Sequence, residues 1–419
     1  MSNQAAHPLL TIVRQHVEDS AVLCNTRFTL VSAPHVKLRH LRRLDDRLAA
    51  HLDGVAVAGE FGSRCCDVAL ERPGLGEVFT AAATTLLEGY TAGVNKMLAL
   101  AEVLPESQPG LLLAFNWASV QSLRGIARDL LNSPSAFRRV VGIAACDSHL
   151  IDPGPALTAA LADGDPLLRA QALGAAGECG RRDLLANCVH AMNDEDGDCR
   201  FWAARSAALL GECHAAVHAL HEVALAAGQH RSRALALLLK LATPAQGIPI
   251  LKEFVEEPDG ARTLIKGLGV TGDPHFVPWL IGQMQDLKLA RLAGESFSMI
   301  TGLDLAWFDL ERKPPEGVDM GPADDPEDDD IAMDEDEGLP WPDPSKVQAW
   351  WSANSQNFQP GMRYFMGAPP TWELCLQVRK DGYQRQRIAA AEYLCLLQPG
   401  TPLFPTSAPA WRQQRWLER

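Results

Sequence analysis

Gly177-Glu178-Cys179 returns 34 residues later as Gly211-Glu212-Cys213, and Cys146 lies 33 residues before Cys179. The surrounding text is related as well: DPLLRAQALGAAGEC at 165–179 and DCRFWAARSAALLGEC at 198–213. Each copy follows an Asp/Gly turn and runs as an Ala/Leu-rich helix whose terminal glycine suits a left-handed C-cap. A second helical stretch follows each, DLLANCVHAM at 183–192 and AAVHALHEVALAAG at 215–228. A helix pair of this size cannot bury its apolar face alone, so repetition at a fixed period predicts stacking into an α-solenoid. Fainter marks, LATPA at 241–245 and MITG at 299–302, extend the period to about five pairs between Arg138 and Leu310.

This period decides the meaning of GLGVTGDP at 267–274, which spells the G-x-G-x-x-G of a dinucleotide loop. Such a loop follows a β-strand and opens a helix. Here the preceding GARTLIKG has no β-branched run. LGVTGD at 268–273 instead resembles LGAAGE at 173–178, which aligns Gly269 and Gly272 with Gly174 and Gly177 as repeat turns, and Asp273-Pro274 reads as an N-cap with proline in the first turn. No cofactor is expected.

Composition narrows the function classes. Aromatics make up only 6% against 47% hydrophobic residues, which favours helices packed through small side chains. The net charge of -14 argues against a nucleic-acid partner. Most of that charge is local: Asp324 to Glu337 contains ten acidic residues and no basic one, too polar to fold alone, and is expected to be a disordered loop. The opening MSNQAAHPLLTIVRQHVEDS lacks a signal-peptide core and no apolar run is long enough to span a bilayer, which predicts a cytoplasmic chain without a membrane partner. The ten cysteines, with no C-x-x-C, then read as buried thiols. Vicinal Cys65 and Cys66 beside Arg64 are the redox alternative. His214, His218 and His221 share one helix face, but without paired ligands from a second element they are expected to hold no metal. No G-x-S-x-G elbow or phosphate loop occurs, so no catalytic residues are assigned.

The repeats, with Asp165 and Arg169 in a D-x-x-x-R spacing followed by A-L-x-x-x-G from Ala172 to Gly177, resemble short HEAT repeats of the phycobilin-lyase type. LPWPDPSKVQAWW, FQPGMRYFMG and GYQRQRIAAAEYLCLLQPG resemble an uncharacterised family of bacterial HEAT-repeat proteins often encoded beside type VI secretion genes. That resemblance implies a non-catalytic protein-binding scaffold: an accessory, adaptor or chaperone whose partner is a secretion effector or tip component. An immunity protein against a secreted toxin and a bilin-lyase-like enzyme are the alternatives.

The expected architecture is all-α: a helical N-terminal region at 1–135, a HEAT-like solenoid at 136–310, an acidic insertion at 311–343 and a Trp-rich helical cap at 344–419. In the N-terminal region Leu38, Leu41, Leu44, Leu48 and Leu52 form an apolar stripe, opposite a basic face of Lys37, Arg39, Arg42, Arg43 and Arg47. In the cap, 369–400 reads as one more helix pair, with Asp381 and Arg385 repeating the D-x-x-x-R spacing. Trp350, Trp351 and Arg363 are candidate partner anchors, because surface Trp and Arg often carry binding energy; packing within the cap is the alternative.

Overall fold

The computed structural model describes residues 9–316 and 334–418. Among the described residues there are twenty-two α-helices and no β-strand, only two isolated bridges. The chain is an all-α solenoid of helix pairs, as the repeat spacing predicts. No described helix is long and apolar enough to cross a membrane. Two compact units are formed, one from Met1–Ser32, Val36–Ser206 and Gly400–Arg419, the other from Ala33–His35 and Ala207–Pro399.

In the first unit, helix Leu38–Val57 packs on Leu10–Leu30 and on Leu75–Glu88. Its five-leucine stripe is buried, Leu41, Leu48 and Leu52 completely, because intervals of three and four keep the side chains on one face. Arg39, Arg43 and Arg47 of the basic face stay exposed, while Arg42 reaches Asp46 at 2.8 Å and the Gln414 amide oxygen at 2.8 Å. Asp45 points inward, where Arg27 Nε donates to it at 2.7 Å and the Ala410 backbone N–H at 2.6 Å. A buried carboxylate needs such partners.

The repeats divide into inner and outer helices. In the first unit, inner helix Pro166–Glu178 packs on Ala136–Asp147 and on the short outer helix Pro155–Ala160. In the second unit, inner helices Arg231–Leu241, Gly260–Thr271 and Ala290–Thr301 stack in series. Each is backed by the outer helix before it: His214–Leu225, Pro244–Lys252 and Val277–Gln283. Asp165 caps its helix by accepting from Leu168 N–H at 3.1 Å, with Pro166 in the first turn where its missing N–H costs nothing. The arginine that follows reaches onward: Arg169 grips Asp194, in the turn before the next inner helix, through two bonds of 2.9 and 3.0 Å. Arg139 does the same to Asp163 at 2.9 Å, and Arg231 to Glu257.

Inner helices touch through a glycine and a serine. Ser206 Oγ donates to Leu173 O at 2.6 Å, and a Cβ on Gly177 would stand 2.4 Å from that oxygen. Ser296 Oγ donates to Ile265 O at 2.9 Å, and a Cβ on Gly269 would stand 2.8 Å from it. Gly269 is therefore the counterpart of Gly177, three residues away from the alignment that the shared L-G-x-x-G suggests. Gly272 ends its helix at φ 73° and lies so near the Tyr364 carbonyl that a Cβ would meet it at 2.2 Å. The GLGVTGDP stretch is thus a helix end and turn: its first five residues are the last of helix Gly260–Thr271, where a dinucleotide loop would follow a strand.

The C-terminal part completes both units. Trp372–Asp381 and Gln384–Leu397 pack together as the expected pair, in the second unit. Before them, the segment around 361–367 crosses the C-terminal ends of inner helices: Tyr364 N–H donates to Gly272 O at 2.8 Å, and Gly367 N–H to Ile300 O at 3.0 Å. Within the first unit Leu403 N–H donates to Glu178 O at 2.8 Å, and Arg412 donates to the carbonyls of Asn116, Trp117 and Ala118 at the end of helix Gln108–Trp117. Of the acidic stretch expected to be a disordered loop, residues 324–333 lie outside the described residues. Asp334 to Glu337 are described, and the first three are held by ion pairs.

Candidate partner-binding groove

Between the inner helices Arg231–Leu241 and Gly260–Thr271 lies a cavity of about 560 Å³. Leu235, Leu239 and Val270 supply apolar lining, and Ser232, Thr263 and Lys266 add polar groups. A volume of this size accommodates a few amino-acid side chains.

Asp334 and Glu335 line the cavity as well, brought there by a set of cations. Arg262 donates to Asp336 at 2.7 and 3.0 Å and to Glu335 at 3.1 Å. Lys266 Nζ donates to Glu335 at 3.2 Å, and Arg291 pairs with Asp334 at 2.6 Å. Arg385 donates to Glu295 at 2.7 Å and to the Glu335 carbonyl at 3.2 Å. Arg262 and Arg291 lie in the first turns of their helices, like the arginines that grip the next turn elsewhere in the array. Residues 334 and 336 thus serve these last inner helices as the acidic partners of first-turn arginines.

The pairs differ in burial, and with it in strength. The Asp336 side chain is 4% exposed, whereas Lys266 and Glu335 are 52% and 68% exposed. Lys266 holds the Glu335 carboxyl below the usual carboxylate range, with help from Arg262. Asp334 is also lowered; burial opposes this, and the Arg291 guanidinium beside it prevails. Hydrogen bonding to Asp336 raises Arg262 further. Burial raises Glu295 in spite of Arg385. The site therefore has an apolar surface, two buried ionic anchors and one solvent-facing ion pair at its rim.

The three expected anchors are placed in packing positions. Arg363 donates to Leu239 O at 2.6 Å and Thr271 O at 3.2 Å, and also to the carbonyls of Lys240 and Ala242. Its burial lowers its pKa from the usual arginine value. Trp351 is buried against Phe358, ring centroids 5.3 Å apart, and half-buried Trp350 meets Phe297 edge-on at 5.8 Å. Sequence reasoning missed Arg262 and Lys266. Their signal was two like charges four residues apart on one helix, a repulsive spacing that asks for an acidic partner.

The other candidate chemistries are not assembled. Among the described residues no group of three or more His, Cys, Asp or Glu could hold a metal ion. His221 pairs with Glu253 at 3.0 Å, and His218 lies 3.7 Å from Glu222. None of the ten cysteines is joined in a disulfide. Burial pushes Cys66 up to about 12, the reverse of an activated thiolate.

Residues 154–240 match the family model of HEAT repeats. The match spans inner helices Pro166–Glu178, Gly197–Leu209 and Arg231–Leu241, the last of which forms one wall of the groove. This stretch is similar to HEAT repeats, which generally mediate protein interactions. No curated protein matches the chain.

Proposed function

We propose that this protein is a non-catalytic scaffold that seats a segment of a partner protein in the groove between helices Arg231–Leu241 and Gly260–Thr271. The observation that carries the reading is the cavity itself, with apolar lining and a polar rim, on successive inner helices of a HEAT-like array. The sequence resemblance to bacterial HEAT-repeat proteins encoded near type VI secretion genes directs the search for that partner. An adaptor or chaperone would hold an effector or a tip component, and an immunity protein would hold a toxin.

Site-specific photocrosslinking in the native host tests this. A photoreactive residue at Ser232 or Thr263 is expected to capture the same protein. At His218, 78% exposed on the outer helix His214–Leu225, it should capture none. Equal adducts from all three positions, or none from the groove, would remove the proposal.

A further inference from the structure

We infer that the groove recognises an acidic segment carrying apolar side chains, and that Glu335 occupies the place of that ligand's carboxylate. The inference rests on the scaffold reading and supplies the chemistry of its partner. Three observations converge. First, the cavity places Leu235, Leu239 and Val270 near the cations Arg262 and Lys266, so a ligand that fills it must satisfy both kinds of surface. Second, the protein's own carboxylate at those cations shows what the geometry accepts: Glu335 receives from Lys266 at 3.2 Å and from Arg262 at 3.1 Å.

Third, the three acidic residues are held unequally. Asp336 on Arg262 and Asp334 on Arg291 have side chains 4% and 16% exposed, so removing either takes from its guanidinium a carboxylate largely shielded from solvent. Glu335 sits between them, 68% exposed, and its lysine partner is 52% exposed. An ion pair so exposed contributes little. A competing carboxylate can therefore exchange with Glu335 at Lys266 while the flanking anchors stay closed, and its apolar neighbour gains the cavity surface. A basic segment brings no carboxylate to Lys266 and meets like charge at that one point, although Asp259, Asp334 and Glu335 also line the cavity.

The probe is a fluorescein-labelled peptide Asp-Asp-Ile-Ala-Met-Asp-Glu, read by fluorescence anisotropy on the full chain at low salt. Glu335→Gln frees Lys266 and removes the outer of Arg262's two carboxylate partners while leaving its pair with Asp336, and is expected to tighten binding about two- to fivefold over wild type, the scale of one exposed pair. Lys266→Glu should abolish that gain, and a peptide with lysine at every acidic position should not bind. Unchanged anisotropy in Glu335→Gln, or equal binding of the lysine peptide, would overturn the inference. Thermal melts of both variants, expected to match wild type because the altered side chains are exposed, exclude misfolding as the cause. The scaffold reading is judged separately: crosslinks at Ser232 and Thr263 that excess acidic peptide leaves untouched would keep the scaffold and reject the acidic ligand.

Discussion

His149 shows how the surroundings of one residue set a pH dependence. It is 6% exposed, its Nε2 lies 3.4 Å from the Phe115 carbonyl, and burial together with the nearby Arg412 charge lowers its pKa from 6.5 to about 4. Between those values the unfolded chain binds a proton that the folded chain refuses, so stability falls as pH drops from 6.5 towards 4. The full loss is on the order of 3 kcal/mol. Urea unfolding of wild type against His149→Leu over that range should show a shallower decline in the variant; parallel curves would refute the assignment. Single residues were also where reading by pattern slipped. L-G-x-x-G looked like one motif in two places, but which glycine meets a neighbouring helix depends on the serine across from it, Ser206 or Ser296. Those serines are about thirty residues downstream, in the next repeat, outside the local window that a motif covers.

Helices were legible because their signals are local. Turn, cap and apolar period sit within each repeat, so the pairs at 165–192 and 369–400 could be read directly, and the leucine stripe of Leu38–Val57 faces the core as its spacing requires. The bridging segments were not legible, because what they touch lies far along the chain. Arg363 reaches carbonyls 92 to 124 residues away, and no local pattern separates a guanidinium that closes helix ends from one that binds a partner. The carbonyls at a helix C-terminus have no partner within the helix, so one planar fork with several donors suits them. Arg363→Ala should lower the unfolding free energy by about 3 kcal/mol by leaving those buried acceptors unpaired. Arg363→Lys should recover less than half, since one ammonium cannot span the carbonyls at the ends of Arg231–Leu241 and Gly260–Thr271. Chemical denaturation of the two variants checks this, and full rescue by lysine would show that charge alone matters.

At the scale of the whole chain, the first unit is discontinuous. Residues 207–399 build the second unit before Gly400–Arg419 return to the first. The returning segment contributes more than surface cover. Trp411 packs edge-on against Trp117 at 4.7 Å, Phe404 is buried, the Ala410 N–H satisfies Asp45, and Arg412 closes the end of helix Gln108–Trp117. Without it, Asp45 keeps Arg27 but loses a donor, and the helix-end carbonyls of Asn116, Trp117, Ala118 and Glu178 lose theirs. Truncating one buried aromatic costs about 3 to 5 kcal/mol, so deletion of 400–419 should cost the first unit on the order of 5 kcal/mol and about 10 °C or more in melting temperature. The second unit keeps all of its own residues in that deletion. Differential scanning calorimetry should therefore resolve two transitions in the truncated chain, one shifted down and one near its original temperature. A single transition, shifted as a whole, would instead mean that the two units unfold as one cooperative body.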